Sequence, residues 1–384
     1  MRITSLSRVV FFLPLLLAPV RALSQFQEPN PEELKMTADP KAPGASAVIL
    51  YTEETADDIQ MELTYYERVK VLTEKGKELA TVQLPYNHES YKIDAISGRT
   101  IHSDGSVYPL TTKPTDLMDF KTSGYQKNMA VFTLPNVEVG SILEYRMKVK
   151  YKLSEFALPT WHVQRPYFVH KAHYSYRPDM SIVNSAYSLS ISGRIPDGTQ
   201  LVRDKKGVQS LDVTDVPASP DEDWMPPINT FRFLIDFYFT AATSDREEYW
   251  KATKKSWAAS VFDWTFPTAG LKKIADGIVS PADSEEVKAQ KLYAAVMSLE
   301  NTSFTRQKSE IERKKEKIRD IQKIEDIWTQ KSGTSNGLAM LYVGLARAAG
   351  LKAAEVEVVN RDRAIFDPYY LTLYQYDDVL VSCL

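Results

Sequence analysis

Cysteine is nearly absent from this chain, and histidine is missing from its second half. Among 384 residues the only cysteine is Cys383, and the last of five histidines is His173. One cysteine excludes an internal disulfide framework, so stability has to come from a buried core, which a chain of this length can supply. No imidazole follows His173 to activate Cys383 as a nucleophile. The net charge of −3 excludes the strongly basic surface typical of nucleic-acid-binding proteins.

A long apolar run lies at the N-terminus. Arg2 and Arg8 precede apolar residues 9–20, and small residues follow up to Ser24. The run is too short to cross a bilayer comfortably, and the pattern is typical of a secretory signal peptide. An uncleaved anchor is the alternative. We therefore predict a signal peptide over 1–24, export to the periplasm or the medium, and no transmembrane span after cleavage.

Alternating hydrophobicity follows a short lead-in. Residues 25–47 are rich in Pro, Glu and Ala and predict a flexible segment. From 48 to 220 the apolar residues recur with a period of two, most clearly over 142–151. Many short strands separated by turns such as Ser103–Ser106 predict an antiparallel β-sandwich domain. The 21 Tyr and 15 Phe suit such half-buried strands.

Prolines mark a boundary near residue 220. Four of them lie between 217 and 227, which predicts a Pro-rich joint and one strand over 221–243, before a helical region over 244–384. The carboxylates at 221–223 suggest glycoside or calcium chemistry as an alternative, but a boundary loop explains them more simply. His170 and His173 suggest a metal pair, yet residues three apart on a strand point to opposite faces. We expect no metal and no cofactor.

The segment 326–350 carries the strongest functional signal. A loop containing Gly333 leads into an apolar helix from Ser335 to Ala349, which Gly350 ends, and a strand follows from Ala353. The positive end of a helix dipole lowers the pKa of a thiol placed there. Serine occupies that position here, and we expect Ser335 to cap the helix.

The chain resembles bacterial exported proteins that join an uncharacterised N-terminal β-domain to a transglutaminase-like, or papain-like, domain. The resemblance covers nearly all of the mature chain and rests on the residues Tyr66–Gly76, Ser103–Ser106, Trp224–Pro227, Trp328, Gly333 and Ala339–Gly350. It implies a multi-domain fold, an all-β sandwich followed by an α+β transglutaminase-like core. That core is expected to be incomplete at the C-terminus, since such cores continue for several more strands.

The resemblance also implies a Cys–His–Asp triad in active members, in which Cys attacks a carbonyl and His acts as the base. The Cys position matches Ser335 and the His position matches Asp378, while the third position lies beyond the last residue. A serine hydroxyl needs a general base, and a carboxylate with a pKa near ~4 is a weak one.

These losses predict a binding role without catalysis. We expect a cleft lined by Trp328, Gly333, Thr334, Ser335 and Asn336 to hold a peptide, an envelope protein or an envelope polysaccharide. Trp328 as a core residue and Gly333 as a turn residue are the structural alternative, and loops of the β-domain are a second candidate contact surface. One alternative function is acyl transfer or peptide hydrolysis by Ser335 with Asp378. Another is a spacer role in an envelope assembly. The ligand and the oligomeric state stay open.

Overall fold

The computed structural model describes residues 26–88, 90–122, 125–152, 157–182, 187–241, 245–305, 308, 310–316 and 318–383. The predicted signal peptide over 1–24 lies outside these residues. No helix in the described ranges is both long enough and apolar enough to cross a bilayer.

Strands dominate the chain up to residue 241. After a short helix α1 (Pro31–Lys35) they are β1 (Ala47–Asp57), β2 (Glu62–Val71), β3 (Thr81–Asn87), β4 (Tyr91–Ile101), β5 (Val107–Pro109), β6 (Thr115–Thr122), β7 (Tyr125–Thr133), β8 (Ile142–Tyr151), β9 (Thr160–Trp161), β10 (Val169–Arg177), β11 (Tyr187–Arg194), β12 (Val202–Arg203), β13 (Gln209–Val216) and β14 (Leu234–Ala241).

Helices dominate the remainder. They are α2 (Arg246–Trp264), α3 (Ala269–Asp276), α4 (Glu285–Met297), α5 (Glu310–Lys315), α6 (Ile324–Gln330) and α7 (Ser335–Ala348), with the short strands β15 (Glu300–Asn301) and β16 (Ser332–Gly333), and β17 (Ala353–Val358) and β18 (Asp378–Cys383) at the end.

One large sheet organises the β region. Its eight strands run in the order β12-β13-β10-β1-β2-β8-β4-β5, and two three-stranded sheets, β11-β14-β9 and β3-β7-β6, accompany it. A single apolar core contains side chains from all three sheets, among them Trp161, Tyr176 and Phe237. The ring of Phe237 on β14 meets Trp161 at 4.7 Å and Tyr176 on β10 at 5.0 Å between centroids. The small sheets therefore pack on the large one, and the chain as a whole is a mixed α/β protein dominated by that sheet.

The expectation of a purely antiparallel sandwich is wrong at the centre of the large sheet. Strands β1 and β10 pair in parallel, with Ile49 opposite Val169 and Asp57 opposite Arg177. The alternation of apolar residues identifies a strand but carries no information about its neighbour, so the sequence did not reveal this pairing.

The described residues 26–47, which the sequence predicts to be a flexible lead-in, make contacts with the β region. Glu33 on α1 pairs with Arg68 at 2.7 Å, and Lys70 Nζ donates to the carbonyl of Leu34 at 3.0 Å. Leu34 and Met36 also pack on a buried apolar cluster. The lead-in is held because it covers two cations of β2 that are themselves buried, Arg68 and Lys70.

The strand predicted within the joint belongs to a sheet of the β region. Strand β14 pairs with β11 along its length, from Tyr187 opposite Ala241 to Arg194 opposite Leu234, and also with β9. The prolines at 217–227 interrupt the chain inside the β region, and the helical region begins only afterwards, with α2 at Arg246.

Buried charges of the β region cluster around Glu144. Glu144 on β8 is fully buried and accepts from Tyr66, from Arg68 Nη1 at 3.1 Å and from Arg99 Nε at 2.6 Å.

Arg165 lies 3.1 Å from Glu67 and 3.9 Å from Glu54. Burial raises the pKa of Glu54 to about 7, with Arg165 opposing the rise and Glu67 adding to it.

Helix α7 is the centre of the helical region. It is apolar, and Leu341, Val343 and Leu345 are fully buried among side chains of α3, α4, α6 and β17. A Cβ on Gly344 would come within 3.0 Å of Leu271 on α3, so glycine allows these two helices to approach closely. Strands β17 and β18 pair antiparallel beside α7, with Ala353 opposite Cys383 and Val358 opposite Asp378.

Candidate functional site

The start of α7 is built by a tight connection from α6. Lys331 ends α6 in the left-handed region, with φ of 58°, and the chain then forms a two-residue parallel ladder between β15 and β16. Thr334 follows in an extended conformation, and its hydroxyl accepts a hydrogen bond from the amide of Gly337. Residue 335 is thereby fixed as the first residue of the helix, close to the positive end of its dipole.

The expectation that Ser335 caps the helix is wrong, because Thr334 is the N-cap. Ser335 is exposed, and its hydroxyl lies beside the side-chain amide of Asn301, 3.1 Å from Nδ2 and 3.3 Å from Oδ1. Its backbone amide donates to the hydroxyl of Ser303 at 3.0 Å. Within the described chain, these neighbours supply an amide and a hydroxyl and no group that could take a proton from Ser335 at neutral pH.

Asp378 opens β18, as the resemblance implies for the second triad position. Its carboxylate is exposed and accepts from the amide of Val379 at 2.8 Å. No hydrogen bond joins Asp378 to Ser335 in the part of the chain that the structure describes.

The five histidines of the chain make their contacts with residues other than Ser335 and Asp378. His102 is paired with Glu138, His162 with Arg232, and His170 with Asp39 and Asp215, while His173 contacts Asp212 and the ring of His88 lies near Tyr86. All of these residues belong to the β region or its lead-in. No group of three or more His, Cys, Asp or Glu side chains is placed to hold a metal ion among the described residues.

Two glycines at the start of α7 are required by close packing. A Cβ on Gly333 would lie 2.8 Å from Ile327 Cγ2, and one on Gly337 would lie 2.9 Å from Ile327 Cδ1. Both glycines let the first turn of α7 pack closely on α6. This turn and residues of α6, among them Ile327, line the same groove.

That groove has a volume of about 710 Å³. Gly333, Thr334 and Asn336 line it, together with Met340 on α7 and Trp264 at the end of α2. Ionic side chains lie along one part of its wall. Of these, Lys308 contacts Glu300 and Glu316, and Arg313 contacts Asp320. The groove thus combines an apolar floor with a wall of mixed charge.

The predicted binding residues divide between the groove and the core. Gly333, Thr334 and Asn336 line the groove. Trp328 packs on the apolar core around α7, with Lys331 Nζ 3.8 Å from its ring centroid. Ser335 lies at the same turn but faces Asn301.

The sequence reasoning did not identify four residues around this turn. Trp264 and Met340 line the groove, and Asn301 and Ser303 hold Ser335 in place. Trp264, Asn301 and Ser303 come from segments that precede the loop by about 30 residues or more, and nothing in their local pattern indicates this site.

Comparisons with known proteins identify part of the chain. Residues 57–218 match the family described as a domain of unknown function with a solved structure, DUF3857. A comparison with curated proteins finds no match.

Among solved structures, one from Parabacteroides distasonis, provisionally described as a protease, is similar with a TM-score of 0.56 and 14% identity. The similarity covers 88% of this chain, which spans 65% of that protein's length. A second, leukotriene A4 hydrolase from Saccharomyces cerevisiae, has a TM-score of 0.23 and 9% identity over 50% of this chain and 29% of that one, too low to support an argument. The family match and the first structure are consistent with a β-domain followed by a second region, and the likeness to that structure is one of fold.

Proposed function

We propose that this chain is an exported binding protein whose groove at the start of α7 holds an extended peptide without cleaving it. The observation that carries the proposal is the pairing of Ser335 with the amide of Asn301 beside a groove of about 710 Å³. An amide cannot act as a general base at neutral pH, so this neighbour, the described partner of the hydroxyl, does not make it a strong nucleophile. The groove has the size of a ligand site.

The assignment of residue ranges to domains agrees with this binding role. We assign 244–384 to a transglutaminase-like core, preceded by a β-domain over 48–220 and a joint over 221–243 whose strand β14 pairs with β11 of the β region. Support comes from the order of elements: a buried helix with residue 335 at its start, then an antiparallel pair in which Asp378 opens the second strand.

Binding is tested by titrating the mature protein into a fluorescein-labelled library of unstructured decapeptides, with soluble peptidoglycan fragments as a second arm. Asn336→Trp fills the groove from an exposed position and is expected to weaken binding at least tenfold. Gln290→Trp places the same side chain on an exposed face of α4 outside the groove and serves as the matched control. Binding of the peptidoglycan arm alone would change the ligand to a polysaccharide. No binding in either arm would favour the spacer role.

Catalysis is tested separately. Purified protein is incubated with Gln-containing peptides and amine donors, and with a fluorophosphonate probe. We expect no turnover and no adduct by mass spectrometry. Turnover that Ser335→Ala abolishes, or an adduct on Ser335, would establish the acyl-transfer alternative and end the non-catalytic proposal.

Export is tested by expressing the full chain and sequencing the product in the envelope fraction. Cleavage after Ser24 is expected to give a mature N-terminus at Gln25. An intact N-terminus in a membrane pellet would support the uncleaved anchor instead.

A further inference from the structure

A second cavity, of about 420 Å³, lies between α2 and β17. Its walls are largely aromatic, with Trp250 and Trp257 from α2 and Phe366 and Tyr376 from the connection between β17 and β18. The ring of Trp250 lies 5.4 Å from Phe366 and 6.3 Å from Tyr376, and the last two rings stack at 5.6 Å. Trp250 Nε1 donates to the carbonyl of Pro368 at 2.9 Å, which fixes the indole.

A buried carboxyl group lies in the same wall. Glu355 on β17 lines the cavity, is only 4% exposed, and has an Oε2 atom without a hydrogen-bond partner among the described residues. Burial raises the pKa of Glu355 to about 7, and the charge of Glu357 contributes further. Leaving a buried carboxylate without a donor is costly, so a donor carried by a ligand would stabilise it.

The charged residues that line the cavity indicate the sign of the charge that such a ligand would carry. Glu355 and Glu357 supply two carboxyl groups, while Lys254 at the exposed edge supplies one ammonium group. Aromatic faces attract cations through their quadrupoles, and a carboxylate forms its strongest hydrogen bonds with charged donors. The aromatic rings and the carboxyl groups both favour a positively charged ligand.

We propose that this cavity binds an organic cation, a protonated amine or guanidinium group on an apolar stem, whose charged end hydrogen-bonds to Glu355 while its stem packs between the aromatic rings. The volume of about 420 Å³ lies within the range of small-molecule sites. The site shares no lining residue with the groove at α7, so it stands independently of the proposed function.

The pH dependence of binding follows from the surroundings of Glu355. The charged and titratable groups on the elements packed around it include Glu357 on β17, Tyr249, Lys251, Lys254 and Lys255 on α2, Tyr342 and Arg347 on α7, Cys383 on β18, and Arg363, Tyr376 and Asp377 in the connection. Of these, Arg347 is held by Ala353 and Thr265, and Arg363 by Asp377. Val381 lies opposite Glu355 on β18, so that strand adds no charge there.

The test uses the mature chain labelled with 5-fluorotryptophan and fluorine NMR titration with n-hexylammonium. The six tryptophans report separately, and Trp250→Phe and Trp257→Phe assign the two that line the cavity. We expect saturable shifts of these two resonances at pH 8, and no saturable shift with 1-hexanol, a neutral analogue of the same length. Equal binding of the alcohol would overturn the proposal, because the cavity would then be a merely apolar site.

Glu355→Gln is expected to raise the Kd for n-hexylammonium about tenfold at pH 8. Asp276→Asn, an exposed acid outside the cavity, is the matched control and leaves the Kd unchanged. An unchanged Kd in Glu355→Gln would contradict the assignment of Glu355. If that variant does not fold, the original protein still decides the question. Its Kd is expected to rise about tenfold for each pH unit below 7, since the cation requires the ionised carboxylate, and a flat profile overturns the proposal.

Two sources could supply the cation, and a pentalysine arm distinguishes them. Tighter binding of pentalysine than of n-hexylammonium would identify a basic protein segment as the natural ligand. Equal or weaker binding would identify a small amine. Both results support a cation site. Binding of N-acetylglucosamine with no response to either cation would identify a sugar site and overturn the proposal.

Discussion

Glu144 shows what a single buried charge does in this protein. It lies fully buried on β8, and Arg68, Arg99 and Tyr66 all donate to it. Replacing a buried ion pair with apolar groups can be neutral, but removing one partner leaves the others desolvated without compensation. The arrangement is therefore sensitive to truncation at this one position.

We predict that Glu144→Ala lowers the free energy of unfolding by about 3–5 kcal/mol. The measurement is urea denaturation followed by tryptophan fluorescence. Asp276→Ala breaks an exposed pair with Lys272 and is the control, with an expected change of about 0.5 kcal/mol or less. A loss below ~1 kcal/mol in Glu144→Ala would mean that the pocket relaxes around the two arginines.

The raised pKa of Glu54 implies that the stability of the folded chain depends on pH. Its pKa is about 7 in the folded chain, mainly because of burial, and about 4.3 when unfolded. The folded state therefore holds more protons between these values, and its stability falls as the pH rises through them.

Glu54→Gln removes that titration. We expect the variant to gain stability relative to the original protein on going from pH 5 to pH 8, by no more than about 3 kcal/mol. Urea unfolding at both pH values gives the difference. Glu78→Gln, an exposed position, is expected to show no such gain. A gain of the opposite sign would show that Arg165 controls the titration of Glu54.

At the scale of elements, helix α7 depends on its first turn. The hydroxyl of Thr334 satisfies the amide of Gly337, whereas Ser335 points toward Asn301. Thr334→Ala is expected to cost about 1 kcal/mol of stability, and Ser335→Ala about 0.5 kcal/mol or less. Denaturation followed by circular dichroism compares the two. The reverse order of costs would restore Ser335 as the cap.

The positions of individual strands and helices were easier to predict from the sequence than the strands with which they pair. The alternation over 142–151 predicted a strand that the structure places at Ile142–Tyr151, and the apolar run after Gly333 predicted the helix that begins at Ser335. Both signals are local. The parallel neighbour of β1 and the pairing of β14 depend on residues at least 40 positions away, and no local pattern encodes them.

The residues of the candidate site were likewise predictable where they belong to the loop before α7, and unpredictable where they come from other segments. The residues predicted from the loop, Gly333, Thr334 and Asn336, do line the groove. Asn301 and Ser303, which decide the chemistry of Ser335, come from β15 and the turn after it and carry no motif of their own. The aromatic cavity escaped prediction because its two sides, α2 and β17, lie about 100 residues apart.

At the scale of the whole molecule, the Pro-rich segment interrupts the chain without dividing the fold. Trp224 is 99% exposed there and holds a φ of 67°, while β14 lies further along and is paired with β11. Cutting the backbone at Trp224 would therefore leave the second fragment attached through a sheet.

We predict that brief chymotrypsin treatment cuts first after Trp224 and that both fragments elute together under native conditions. Denaturing electrophoresis and size-exclusion chromatography of the same sample provide the measurement. Trp224→Ala is expected to resist this first cut. Separate elution of the fragments would place the true domain boundary at the prolines.

The parallel contact between β1 and β10 also sets the order in which the molecule can assemble. During synthesis, β1 can pair with β2 as soon as β2 has been made. The other edge of β1 has no partner until β10, which ends at Arg177, has also been made. Such distant closure slows folding, and an open edge invites pairing with foreign strands. The middle of the largest sheet is thus completed late, and a newly made chain needs protection there longest.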